Sequence, residues 1–176
     1  AVLGSEIEKI NEIINYNKEK FKCYVANDNS LGQVVVSGNI NDLNKFSAEL
    51  KINKIKNIKL PVSAPFHCEL MRSATNKMRE EILKIEFKKP ETSIISNVTA
   101  QETQDPNEIK KLLIEQIEKP VRWREIVINM INSNVEKFIE IGPGKVLSGL
   151  VKRIDSNVKL IQINNVEDLE SLFWND

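Results

Sequence analysis

The chain has 176 residues, enough for one domain or two small lobes around a sizeable core. Its 25 basic residues balance 25 acidic ones, which excludes a bulk electrostatic grip on nucleic acid. Hydrophobic content of 41% fits a globular protein, and no apolar run is long enough to span a bilayer.

Residues 1–62 alternate regularly. Residues 1–3 read as the end of a strand. Ile7, Ile10, Ile13 and Ile14 have helical spacing over 6–16, with Ser5 as the expected N-cap. A strand is predicted at 21–26, loop chemistry at 27–32, and a β-branched strand at 33–37. Asn41 is the expected cap of a helix carrying Leu43, Phe46 and Leu50, and 55–62 reads as a last strand. The order β-α-β-β-α-β is that of a ferredoxin-like unit.

Residues 63–176 read differently. The spacing predicts a helix over 71–85 with Met71, Ala74, Met78, Ile82 and Ile85 on one face. A short strand at 93–96 precedes a turn at Asn97. Pro106 opens a helix over 107–117, and Pro120 stops it. A helix at 123–131, a strand at 137–141, a helix at 146–154 and a strand at 158–163 follow. Strands alternating with helices predict a parallel sheet. The fold class is therefore α/β, with a division between residues 62 and 63.

The chain's one histidine, His67, lies in Leu60-Pro-Val-Ser-Ala-Pro-Phe-His67-Cys-Glu-Leu-Met71. A lone histidine is more often a satisfied polar group than a catalyst. Its place at a strand-to-helix corner favours the catalytic reading, because clefts in α/β sheets lie outside strand ends. A histidine base needs a partner on its far nitrogen, either a carboxylate or a backbone carbonyl. No Gly-x-Ser-x-Gly elbow supplies a nucleophile anywhere in the sequence.

Cys23 and Cys68 form no Cys-x-x-Cys motif and read as buried free thiols of a cytoplasmic protein. Gly142-Pro-Gly-Lys145 could cradle an anion, but a tight structural turn is the favoured reading. Pro120-Val-Arg-Trp-Arg124 is thin support for a nucleic-acid patch, and Trp123 packing against the core is favoured. Asn27, Asp28 and Asn29 lack the further ligands of a calcium loop. The chain begins at Ala1 inside an apolar run with no visible export signal, so it is expected to be a piece of something longer.

Five segments then occur in one order: Ala26-Asn-Asp-Asn-Ser-Leu-Gly-Gln33 with Val34-Val-Val-Ser-Gly38; Pro65-Phe-His67; Ser96-Asn-Val-Thr-Ala100; Glu115-Gln116 with Pro120-Val-Arg-Trp123; and Ile141-Gly-Pro-Gly-Lys-Val-Leu147. Together they resemble the bacterial, free-standing malonyl-CoA:acyl-carrier-protein transacylase family over nearly the whole chain. The resemblance implies a ferredoxin-like small subdomain at 1–62. It implies the C-terminal part of an α/β-hydrolase-like, parallel-sheet acyltransferase subdomain at 63–176.

It also implies a ping-pong transfer in fatty acid biosynthesis. A serine in a Gly-His-Ser-Leu-Gly elbow takes malonyl from coenzyme A and passes it to the phosphopantetheine thiol of acyl carrier protein. The family's general base matches His67, and the glutamine whose backbone carbonyl orients it matches Gln116. Malonyl-CoA is a substrate, and no permanently bound cofactor is implied. The family's serine, its carboxylate-binding arginine and its oxyanion-hole glutamine lie upstream of the small subdomain and have no counterpart here. This chain alone is therefore expected to be inactive.

Acyl carrier protein is acidic, so Lys56, Lys59, Lys152 and Arg153 are candidate docking residues. Pairing with the missing N-terminal half, or self-association, is expected for residues 65–176, because lone sheet edges and apolar faces are unstable in water. The rival readings are an acyltransferase fragment of a polyketide synthase and a non-catalytic carrier-protein-binding module.

Overall fold

Alternation and helical spacing in the first 62 residues produce β1 (Val2–Leu3), α1 (Ile7–Tyr16), β2 (Cys23–Ser30), β3 (Gln33–Gly38), α2 (Ile40–Ile52) and β4 (Lys56–Asn57). The computed structural model describes residues 1–174. The four strands form one antiparallel sheet in the order β2-β3-β1-β4. Helical periodicity buries Ile10 and Ile13 of α1 and Phe46 and Leu50 of α2. They join Val2, Cys23 and Val34 from the sheet, and the rings of Phe21 and Phe46 meet edge to face at 5.7 Å. Each such large side chain contributes about 1.5–3 kcal/mol by leaving water.

Several local expectations differ from the structure. Glu6, not Ser5, precedes α1, and its side chain makes no cap bond. Asn39, not Asn41, caps α2, accepting the Asp42 N–H at 2.9 Å. The expected loop at 27–32 is mostly strand. Irregular register between Val25 and Asn27 and between Asp28 and Ser30 accommodates the extra residues as bulges. Gly32, at φ +68°, then makes the turn. The expected strand at 55–62 shrinks to Lys56–Asn57. Ile58 N–H still reaches Ala1 O at 2.8 Å, but Pro61 and Pro65 have no N–H to continue a ladder.

The same compact unit continues through a 3₁₀ turn at Glu69–Met71 into α3 (Arg72–Lys84). Then come β5 (Ile94–Ile95), β6 (Glu102–Thr103), α4 (Pro106–Glu115) and α5 (Trp123–Asn132). Asp105 caps α4 from the Asn107 N–H at 2.9 Å, with Pro106 in the first turn. The residues α3 buries are Thr75 and Ile82, whereas Met78 and Ile85 of the expected face are exposed. Thr75 can be buried because its hydroxyl donates to Met71 O at 3.2 Å. β5 pairs antiparallel with β6 instead of entering a parallel sheet. β6 carries no apolar alternation, so nothing in the sequence marked it.

The chain divides into compact units Ala1–Ile126 and Val127–Asp176. Within the first unit, segments after residue 62 bond back to the sheet. Val121 N–H donates to Ala26 O, and Asp28 N–H to Val121 O. The second unit holds β7 (Lys137–Ile141), α6 (Val146–Ile154), β8 (Lys159–Ile163) and α7 (Val166–Trp174). β7 and β8 pair in parallel, in register from Lys137 opposite Lys159 to Ile141 opposite Ile163. Leu150, Val151 and Ile163 are buried, while Ile139 and Ile141 of β7 stay exposed.

Candidate active site

The loop between β4 and α3 carries His67 in a left-handed conformation, φ +60°. That region disfavours any residue with a Cβ, so the surrounding structure must hold it there. Two neighbouring bonds do so. Ser37, on β3, donates its hydroxyl to Phe66 O at 2.7 Å. Cys68, 2% exposed, points its thiol at Pro65 O at 3.1 Å.

The half-buried imidazole then meets the end of α4: Nδ1 lies 2.9 Å from the carbonyl oxygen of Gln116. A carbonyl can only accept, so Nδ1 carries the hydrogen. In the neutral ring, Nε2 is left with a lone pair. Gln116 ends the helix, and the last carbonyls of a helix have no partner within it. One such carbonyl is thus offered to His67.

His67 lines an open cleft of about 710 Å³ whose walls include Tyr24, Glu69, Arg72, Arg79 and Lys119. Lys22 and Tyr24 both donate to Glu69, the tyrosine at 2.6 Å, and hold its carboxyl below the usual range. Desolvation, with the bond to Glu69, pushes the Tyr24 phenol up. Arg72 pairs with Glu118 at 3.2 Å. Arg72, Thr75, Asn76 and Arg79 reach the cleft from one face of α3, a spacing of i, i+3, i+4 and i+7. The same spacing stands in the sequence next to His67, interleaved with the apolar positions 71, 74, 78, 82 and 85.

Neither thiol suits nucleophilic chemistry. Burial pushes Cys23 up to about 12 and also raises Cys68, so both stay protonated near neutrality.

Against this geometry, a family profile described as acyl transferase domain matches residues 9–169. The chain belongs to the acyl transferase domain family. It is 39% identical over 172 residues to the malonyl CoA-acyl carrier protein transacylase of Bacillus subtilis, covering 97% of this chain and 54% of that protein. A crystal structure of malonyl CoA-acyl carrier protein transacylase from Clostridium perfringens superposes with a TM-score of 0.92 at 39% identity, over 99% of this chain and 55% of that one. A malonyl-transacylase solved in complex with a type II PKS acyl-carrier protein superposes equally well, with a TM-score of 0.92 at 31% identity over 99% and 57%. The acyl transferase chain spans about half the length of the relatives it matches.

The remaining candidates of this acyl transferase chain have structural partners. Arg122 donates to Val98 O and Thr99 O at 3.2 and 3.1 Å and to the Glu125 carboxylate. Arg124 Nε spans both oxygens of Asp28 at 3.1 and 2.9 Å. Both guanidinium groups of the 120–124 segment are thus engaged within the protein, as is the carboxylate of the 27–29 segment. Burial, outweighing Arg124, raises the Asp28 carboxyl.

The 142–145 turn is a structural one. Gly142 and Gly144 adopt φ of +138° and +93°, and Gly144 N–H donates to Asn164 Oδ1 at 2.6 Å. The N-terminus of α6 already holds an anion of the chain's own. Glu140 accepts the N–H groups of Leu147 and Ser148 at 3.0 and 2.7 Å. Lys56 and Lys59 are exposed and do not line the His67 cleft. Lys59 instead borders a second, more apolar groove of about 500 Å³ with Ile40, Leu43, Leu60 and Val62. Lys152 and Arg153 close the last turn of α6, where cations suit the helix dipole.

Proposed function

We propose that this chain carries the general-base half of a malonyl-CoA:acyl-carrier-protein transacylase of fatty acid biosynthesis, a cytoplasmic enzyme that binds no permanent cofactor. The observation that carries the reading is His67 Nδ1 at 2.9 Å from Gln116 O, which leaves Nε2 free to take a proton.

The nucleophilic serine belongs to a segment this chain does not contain. Its hydroxyl oxygen attacks the malonyl thioester carbon while Nε2 of His67 takes the proton. The carbon–sulfur bond breaks, and the imidazolium returns that proton to the departing coenzyme A thiolate. In the second half, Nε2 takes the proton of the carrier protein's phosphopantetheine thiol. The sulfur attacks the ester carbon, the carbon–oxygen bond breaks, and serine recovers the proton. Gln116 supports the imidazolium with a neutral carbonyl, which places no second charge in the cleft.

On this reading, residues 1–62 are a ferredoxin-like small subdomain. Residues 63–176 are the C-terminal portion of an α/β-hydrolase-like subdomain. Parallel sheets are ordinarily covered on both faces, and β7 leaves Ile139 and Ile141 in water. A complementary segment supplying further strands, or a second copy of the chain, covers that sheet. Lys56 and Lys59 on the first unit, and separately Lys152 and Arg153 on the second, are candidate contacts for the acidic acyl carrier protein.

The test uses labelled malonyl-CoA. This chain alone takes up no stable label. The full-length protein that contains it becomes labelled on serine and passes the label to acyl carrier protein. Label retained by this chain alone in a His67-dependent manner contradicts the division of labour. Failure of the full-length protein to take label contradicts the assigned reaction.

A further inference from the structure

Gln116 presents its carbonyl from the C-terminal end of α4, and the imidazole needs that oxygen at a fixed place. The Gln116 N–H is bonded to Leu112 O at 2.9 Å, but helix ends are the least stable parts of helices, so a tie from outside α4 adds to that hold. The Gln116 side chain makes that tie: its Oε1 accepts from Asn97 Nδ2 at 3.2 Å.

Asn97 sits in the 96–100 turn between β5 and β6, and the turn is braced from several directions. Val98 N–H donates to Ser96 Oγ at 3.1 Å, and Ala100 N–H to Ser96 O at 2.9 Å. Arg122 N–H donates to Asn97 O at 3.2 Å, while its guanidinium holds the next two carbonyls. Ala100 adopts a left-handed φ of +56° to close the turn. The result is a stiff bracket whose amide reaches the half-buried side chain of Gln116.

We infer that Asn97 is a positioning residue for the His67 base: its side-chain amide clamps Gln116, and through Gln116 it fixes the imidazole with hydrogen on Nδ1. The inference rests on the reading of His67 as general base, but its structural half stands apart from malonyl chemistry. Asn97 touches no reacting atom in this arrangement. Its action passes through two bonds, Asn97 to Gln116 and Gln116 to His67.

His67 is the only histidine, so the long-range ¹H–¹⁵N spectrum of this chain reports one ring. Asn97→Ala and Gln116→Ala remove the same bond from opposite ends, and the second keeps the Gln116 carbonyl. Each variant lowers the ratio of Nδ1–H to Nε2–H tautomer about fivefold, the equivalent of one ordinary hydrogen bond. The double variant lowers it no further. Asn97→Asp restores most of the ratio, because the Gln116 amide can turn and donate to the new carboxylate.

In the full-length protein, Asn97→Ala lowers kcat for malonyl transfer about fivefold at unchanged KM. An unchanged tautomer ratio in folded Gln116→Ala or Asn97→Ala overturns the inference and makes Asn97 a turn residue only. If Asn97→Ala does not fold, Gln116→Ala alone decides. A tautomer response in a full-length protein that moves no malonyl leaves the clamp standing and removes the proposed function.

Discussion

His67 and Gln116 are separated by 49 residues, yet ring nitrogen and carbonyl oxygen lie 2.9 Å apart. The loop bearing the histidine is pinned at Phe66 O by Ser37 and at Pro65 O by Cys68. The helix bearing the glutamine is pinned by Asn97. Two independently braced elements thus meet at a single proton.

The backbone at His67 makes a prediction of its own. At φ +60° an alanine is strained and a glycine is not. His67→Gly is therefore more stable than His67→Ala by about 1 kcal/mol, the reverse of the usual order. Urea unfolding of the two variants measures it. Alanine as the more stable residue contradicts the left-handed assignment.

Ala100 is 1% exposed and left-handed at φ +56°. Ala100→Gly removes the strain at a small entropic cost and stabilises the chain by about 0.5–1 kcal/mol. A lower urea midpoint for the glycine variant disagrees with the turn described here.

Glu140 contributes to the acid response of the second unit. Against the cost of burial, bonds from Ser148, Leu147 and Val146 hold its carboxyl below the usual range. A depressed carboxyl contributes stability that is present above its unfolded value and is lost as pH falls through the folded one. Glu140→Gln therefore lowers stability at neutral pH, and the difference from the parent shrinks on acidification. Asp28 runs the other way. Its raised carboxyl takes up a proton in the folded state first, so its protonation favours the native chain as pH falls toward the unfolded value. Unfolding curves across the acid range separate the two, because Asp28→Asn removes a slope of opposite sign.

The exposed face of β7 carries the association prediction. Ile141 is 78% and Ile139 49% exposed on a two-stranded parallel sheet. Sizing chromatography of the chain alone shows species larger than one copy. Ile139→Lys with Ile141→Lys shifts it toward the monomer. A monomeric parent of unchanged cooperativity ends this part of the account.

The regular periodicities were legible because burial follows them directly. Ile10 and Ile13, or Phe46 and Leu50, occupy the core positions that their spacing requires. The strand through Asn27, Asp28 and Asn29 was not legible. Its Asp28 carboxylate is engaged by Arg124 and its backbone bridges to Val121, both roughly a hundred positions away in sequence. The helix face at Thr75 is hidden for a similar reason, since a hydroxyl bonded to its own helix can be buried as an apolar group is. At the site, His67 stands out by its place in the sequence, whereas Gln116 is marked only through the family resemblance. Asn97 carries only a turn signal in the sequence, and Arg72 and Arg79 lie beside stronger apolar signals.

The most direct test is the rate at which the full-length protein acylates its serine from malonyl-CoA, measured in single turnover with His67 intact and replaced by alanine. The account predicts a loss of about 10²–10⁴-fold with malonyl-CoA binding retained, the range for removal of a general base. An acylation rate within a few-fold of the parent contradicts it.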